Sequence, residues 1–179
     1  MTARQWGTQP GGASGALELV EFANITSAIT EYTFTGLDGD NAFVYTLLCR
    51  LVNGAASTSS YYLEPNNTAT NQDSVRHVFA NDGTHLVNLA GAGMRFGIAL
   101  AAQTYVVNLK FHALTGAPRL YVGNNSGYNN PASLETVCEQ WVGRWNESVT
   151  NITSLDVRAT VANGLGAGSY LALYRHKTS

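Results

Sequence analysis

Residues 155–175 read LDVRATVANGLGAGSYLALYR, and this stretch decides the fold class. Four apolar side chains alternate with polar ones and share one face: Leu155, Val157, Ala159 and Val161. A period of two is typical of a strand with one buried face. Asn163 and Gly164 supply turn residues, and a second alternating run follows them. We therefore predict that the chain ends in a β-hairpin and is built from hairpins throughout.

Segments with strand character recur along the chain between Gly- and Asn-rich turns. The predicted strands are 17–22, 29–34, 42–52, 60–63, 94–100, 104–113, 119–122, 155–161 and 169–175. Residues 64–93 are predicted to form a long loop region with one or two short strands near 75–79 and 86–89, and residues 124–130 a polar loop. Residues 133–145 fit either a helix face or a strand, and their β-branched and aromatic content favours the strand.

These segments predict an all-β protein, an antiparallel β-sandwich of jelly-roll type with about ten strands and at most one short helix. A flexible arm, residues 1–15, precedes a single sandwich domain, residues 16–179. Met1–Gly7 has no apolar run after its one positive charge, so we expect no signal peptide. No stretch approaches the ~20 apolar residues of a membrane span.

Charged residues make up only 12% of the 179 residues, about half of the ~25% that is usual in globular chains. Such a surface indicates extensive contact with other protein. The net charge of −2 argues against nucleic-acid binding, which needs a basic stripe. The 42–52 strand is apolar on both faces, so we predict that Val44, Leu48 and Val52, together with Trp6 of the arm, contact a partner. The expected state is a homo-oligomer, a trimer.

Sites for chemistry are weakly indicated. His77 and His85 flank Asp82, but we interpret them as loop residues rather than metal ligands. Glu135 and Glu139 are interpreted as solvated carboxylates beside core tryptophans, and Asp38 and Asp40 as turn residues. Cys49 is predicted to be a buried thiol, and no disulfide is expected. The sequence therefore predicts no catalytic residue, no metal site, no cofactor and no enzyme.

Tyrosines beside Asn-rich loops support a different kind of site. Aromatic rings stack on sugars, and amides bond to their hydroxyls. If the chain binds a glycan, the predicted contact residues are Tyr61, Tyr62, Tyr121 and Tyr128.

Five segments together resemble a family of small β-sandwich proteins from tailed-bacteriophage virions, which occur alone or as modules of tail appendages. They are FTGLDGD at 34–40, the strand 45–51, YYLEPN at 61–66, ITSL at 152–155 and GAGSYLALYR at 166–175. The resemblance implies a structural role in the virion and an oligomer, often a trimer. It carries over no catalytic residues.

The sequence thus predicts a capsid decoration or cement protein, made in the host bacterial cytoplasm and stabilising the shell by contacts with major capsid proteins. The alternative is a receptor- or glycan-binding module of a tail fibre or tailspike, in contact with tail proteins. A glycan-acting enzyme is the third interpretation. The sequence alone does not separate a capsid position from a tail position.

Overall fold

The computed structural model of the chain describes residues 16–41, 44–70, 72–80, 85–90, 93–116, 118–130 and 135–176, without the side chains of 80, 85–90, 128–130 and 135. Over these residues the chain forms twelve strands and no helix. The strands are β1 (Leu17–Asn24), β2 (Glu31–Thr35), β3 (Val44–Val52), β4 (Ser59–Pro65), β5 (Gln72–Ala80), β6 (His85–Ala90), β7 (Met94–Ala99), β8 (Thr104–His112), β9 (Arg119–Asn130), β10 (Glu135–Trp145), β11 (Ser154–Ala159) and β12 (Tyr170–His176). The all-β prediction is confirmed.

The strands form two antiparallel sheets of unequal width. One sheet has eight strands in the order β1-β12-β3-β8-β9-β10-β5-β6, and the other has four in the order β2-β11-β4-β7. The first four strands, β1 to β4, pair in turn with β12, β11, β8 and β7. The chain is therefore a long ribbon folded back on itself and wrapped so that successive strands change sheet, which is a jelly roll. The predicted sandwich is confirmed.

The extra width of the larger sheet comes from two insertions. The pair β5 and β6 follows β4, and the pair β9 and β10 follows β8. β9 pairs with β8, β10 pairs with both β9 and β5, and β5 pairs with β6. The region 64–93 therefore holds two full strands, where the sequence predicted a loop with short strands. The 133–145 segment is a strand from Glu135 onward, as its composition favoured.

The predicted terminal hairpin is wrong. β11 lies in the four-stranded sheet and β12 in the eight-stranded sheet, so residues 160–169 cross from one sheet to the other. Leu165 is fully buried in this crossing and forms a β-bridge with Ile29. The turn at Asn163 does form, with a left-handed φ of 62°. Alternation shows which face of each strand is buried, but it does not show which strand is the neighbour.

The predicted polar loop at 124–130 is also wrong, because these residues continue β9. Asn125 points into the core at 2% exposure, and its side-chain amide donates to the carbonyl of Phe96 at 2.9 Å. A buried polar group is tolerated when it is hydrogen-bonded. An Asn-rich strand can therefore lie inside the sandwich, although its composition is typical of a loop.

The core lies between the two sheets and is formed by every second residue of each strand. β8 contributes Tyr105, Val107, Leu109 and Phe111, while β11 contributes Leu155 and Val157. Trp141 and Trp145 on β10 are the largest of the buried side chains. Cys49 is buried on β3 as predicted, and burial raises the pKa of its thiol. Cys138 is free and exposed.

Two glycines set the closest approach at the crossing between the sheets. A Cβ on Gly166 would lie 2.7 Å from the backbone nitrogen of Gly54 and 2.8 Å from its Cα. The amide of Gly166 also donates to the carbonyl of Val52 at 2.7 Å. The crossing segment therefore packs directly on the chain that follows β3.

We expect Gly166→Ala to lower the unfolding free energy by about 1–3 kcal/mol or more, because backbone atoms must move to admit the methyl group. Gly97→Ala is the matched control, since its Cβ would meet Asn125 and Tyr61 at 3.4 and 3.5 Å, which are ordinary contacts. Urea denaturation of the two variants measures the difference. Equal midpoints would contradict the close approach.

Candidate functional site

The outer face of the eight-stranded sheet is a broad surface with many exposed apolar side chains. This name denotes the side that points away from the four-stranded sheet. Cross-strand register places seven outward side chains in one row, here called the central row: Leu19, Tyr174, Thr46, Lys110, Val122, Val142 and Val75. Lys110 is its one charged member and Thr46 its one other polar aliphatic member, so the row is mainly apolar. No other element of the described chain covers this face.

The apolar side chains that β9 and β10 contribute to this face are well exposed. Leu120 is 55% exposed, Val122 41% and Val142 42%, and together with His112 they line a shallow groove of about 290 Å³. Single exposed apolar residues are normal in soluble proteins, but contiguous ones mark a contact surface.

A second apolar area lies at the β1 edge of the outer face. Leu17, Leu19 and Phe22 are each more than half exposed. The ring of Phe22 stacks on that of Tyr170 with centroids 6.3 Å apart. The central row therefore begins in an apolar area at this edge and ends in another on β9, β10 and β5.

Val44, Leu48 and Val52 lie where the sequence predicted, on the second face of β3. All three are half-buried on the outer face, beside β12 and β8. The two-sided apolar character of this strand thus reflects the core on one side and the outer face on the other. Trp6, the other predicted contact residue, lies outside the described residues.

Few charges interrupt the outer face. Among its described side chains, Arg50 donates to the carbonyl of Gly168 at 2.6 Å, and Arg144 pairs with Asp73 at 2.9 Å. Lys110 is the third cation. The described part of the face therefore carries a small positive excess, although the whole chain is negative.

Two of the four predicted glycan-contacting tyrosines are not available at the surface. Tyr61 is 1% exposed and donates to the carbonyl of Gly164 at 2.9 Å, while Tyr121 is 2% exposed and donates to the carbonyl of Arg95. Burial raises the pKa of both phenols. These tyrosines are core residues, so their interpretation as exposed rings is wrong.

The other two predicted tyrosines differ in their status. Tyr62 is half-buried on the four-stranded sheet, where its hydroxyl accepts from Arg95 at 2.8 Å and the guanidinium lies 5.3 Å from the ring centroid. This ring is already in contact with a cation. The side chain of Tyr128 lies outside the described part of the chain.

The predicted turn residue Asp38 accepts several hydrogen bonds within its turn. Asp38 accepts from the backbone amides of Asp40 and Asn41 and from the side chain of Asn151. Hydrogen bonding, above all from the Asn41 side chain, lowers the pKa of Asp38. It is a turn residue, as predicted. Asp82 and the side chain of His85 lie outside the described residues, and no group of three metal-ligating side chains occurs within them.

A buried polar cluster was missed at the sequence level. Glu139 is fully buried, so its interpretation as a solvated carboxylate is wrong. One carboxylate oxygen pairs with Arg76, and the other accepts from Asn125 at 3.0 Å and from the indole of Trp141 at 2.9 Å. Tyr105 lies near this charge, and its pKa is raised to about 12, mainly by burial and then by Glu139. The side chain of Glu135 is outside the described part.

The geometry of the cluster indicates a structural role. Both oxygens of Glu139 are occupied, and the Arg76 guanidinium also lies 5.5 Å from the centroid of the Trp141 ring. The sequence signal that could have revealed it is a carboxylate at the inward phase of an apolar strand. Such a residue must be paired, because an isolated buried charge is very costly.

A second buried cation, Arg119, lies at the start of β9. Arg119 is fully buried, and its guanidinium donates to the carbonyls of Ala113, Glu147 and Thr150. It also lies 5.1 Å from the centroid of the Trp145 ring. This one side chain therefore ties the chain segments on either side of β9 and β10 to the core.

Comparison with known proteins gives little to identify the chain. No protein-family model and no curated protein matches it. A solved structure of scytalido-glutamic peptidase is 11% identical, with a TM-score of 0.29 over 86% of this chain and 74% of that one. SCP-B, a member of the eqolisin family of peptidases, is 10% identical with a TM-score of 0.27 over 82% and 74%. A protein of unknown function from Shewanella oneidensis MR-1 is 7% identical, with a TM-score of 0.27 over 93% and 78%.

The comparison corrects one prediction. Two of these three structures are peptidases, so the sequence-based exclusion of an enzyme does not stand. At these TM-scores the likeness carries no argument about what this chain itself does. Within the described residues, no helix is long and apolar enough to cross a membrane.

We expect Arg76→Met to lower the unfolding free energy by about 3 kcal/mol, because it leaves the Glu139 charge buried without its counterion. A fifth of the Arg76 side chain is exposed, which places the loss at the lower end of the usual range. Arg144→Met is the control, since its pair with Asp73 joins the same two strands on the outer face and is about half exposed. That variant should lose no more than about 1 kcal/mol in urea denaturation. Similar losses for both would contradict the structural role of the cluster.

Proposed function

We propose that this chain is a structural subunit of a tailed-phage virion, a capsid decoration protein that packs the outer face of its eight-stranded sheet against neighbouring protein. The observation that carries the proposal is the central row, a mainly apolar line of side chains across seven strands of a sheet face that no other described element covers. We take a second copy of the same chain as the first partner of this face and the shell protein as the second. The phage assignment rests on the family resemblance.

The size of the outer face supports this use. Eight strands about 4.8 Å apart span about 34 Å, and seven residues of strand span about 23 Å. The face thus offers roughly 800 Å² to one partner, the amount a stable protein interface buries on each side. The low charge of the chain agrees, since charged side chains are depleted at the centre of interfaces.

The two apolar areas of the face are compatible with the predicted homotrimer. A homotrimer would let each copy bury the β1-edge area against one neighbour and the β9–β10 area against another, as closed rings of a heterologous contact do. Trp6 of the arm remains a predicted contact with the shell. The receptor- and glycan-binding alternative is weakened, because Tyr61 and Tyr121 are core residues.

We expect the double variant Val122→Glu and Val142→Lys to weaken self-association at least tenfold in sedimentation equilibrium. The two positions are directly opposite each other on β9 and β10, so the new charges can pair and leave the fold intact. The control is Thr35→Glu with Ser154→Lys, an opposite pair on the outside of the four-stranded sheet. A wild-type chain that is monomeric at 100 μM, or a control variant that dissociates equally, would contradict the proposed interface.

On particles produced by the genome that encodes this chain, we expect its density on the capsid shell in a cryo-electron microscopy map. Added back to particles that lack it, the wild-type chain should restore the density, and the Val122→Glu and Val142→Lys variant should not. Density on a tail fibre would replace the decoration role by the receptor-binding one. Particles without the chain would contradict a virion role.

A further inference from the structure

Two carboxylates face each other on the outside of the four-stranded sheet. Glu64 on β4 and Asp156 on β11 are directly opposite in the strand register. They are only 2% and 1% exposed, although they lie on the side of the sheet that points away from the core. Side chains opposite each other in antiparallel strands have Cβ atoms about 5 Å apart. The two carboxyl groups are therefore within reach of each other.

Each carboxylate has an oxygen without a donor. Oε1 of Glu64 lies 3.3 Å from Nη2 of Arg158, but Oε2 is buried with no hydrogen-bond partner in the described part of the chain. The same holds for Oδ2 of Asp156. An unpaired buried acceptor is costly, and an unpaired buried charge is more so.

The charges around the pair do not neutralise it. β11 supplies Arg158, whose side chain is 40% exposed, and β2 supplies Glu31, directly opposite Arg158. β4 adds Tyr62, and β7 adds Arg95, which donates to the Tyr62 hydroxyl. Together with the pair, these side chains comprise three carboxylates and two arginines, which leaves an excess of one negative charge.

We propose that Glu64 and Asp156 share one proton, so that a carboxylic acid on one donates a hydrogen bond to the carboxylate of the other. The proton removes one of the two adjacent negative charges and gives both orphan oxygens a partner. Two carboxylates in one site are known to hold a proton well above the usual range. This acid-stabilised contact joins the two central strands of the four-stranded sheet, and it is independent of the proposed virion role.

The electrostatics of Glu64 agree with this geometry. Burial raises its pKa, Arg158 lowers it, and Glu31 and Asp156 raise it further, with a net shift upward. A carboxyl group with a raised pKa holds its proton more tightly in the folded state than in the unfolded chain. Its contribution to stability is complete below the ordinary pKa and is lost as the pH rises through the folded-state value.

The decisive variant is Asp156→Asn, which carries no charge and can donate its amide to Oε2 of Glu64 at every pH. We expect the melting temperature of the wild type, measured between pH 4 and pH 8, to fall by about 3–5 °C for each unit by which the pKa of Glu64 is raised. Asp156→Asn should lose that dependence and melt above the wild type at pH 8. Asp73→Asn, an exposed carboxylate of the other sheet, should keep the wild-type dependence.

A second measurement identifies the groups that titrate. In a carbon-13 NMR titration of the side-chain carboxyls, the Glu64 signal should move with a midpoint above its ordinary value in the wild type. In Asp156→Asn it should move at a lower pH. If Asp156→Asn melts below the wild type by the same amount at all pH values, or if the Glu64 midpoint is unchanged, the shared proton is overturned.

Discussion

Eight strands face four across the core, and the inner side of the larger sheet is wider than the smaller sheet can cover. The edge strand β7 packs against β9, β10 and β5, so the four-stranded sheet covers only part of the inserted strands. Large and polar side chains fill the space there, and the two buried tryptophans of β10 are among them. The buried polar cluster of Glu139, Asn125 and Arg76 lies on these inserted strands.

The polar core residues hold the inserted strands in place. Glu139 links β10 to β5 through Arg76 and to β9 through Asn125, while Arg119 ties the ends of β9 and β10 to neighbouring loops. Each is satisfied by several partners, which is the condition for burying such groups. Charged residues, which are usually expected at the surface, are thus part of the core here.

The two outer faces differ in chemistry. The larger one is broad, mainly apolar and slightly positive, and it suits contact with another protein. The smaller one carries two buried carboxylates on its central strands, Glu64 and Asp156, for which we propose a shared proton. The proposed assembly surface and the proposed shared proton lie on opposite sides of the sandwich, so variants of one should leave the other intact.

The sequence by itself determined most of the strands and the buried faces of those strands, although it did not predict β5, β6 and the second half of β9 as full strands. Alternation identified Leu155 and Val157 as core residues and Val44, Leu48 and Val52 as members of a second apolar face, because the period of two is a local property. Only the tertiary structure decided that β11 and β12 lie in different sheets, that Tyr61 and Tyr121 are buried, and that Asp156 faces Glu64. Those facts depend on contacts between strands that are distant in the chain, and one strand's pattern does not encode which partner it meets.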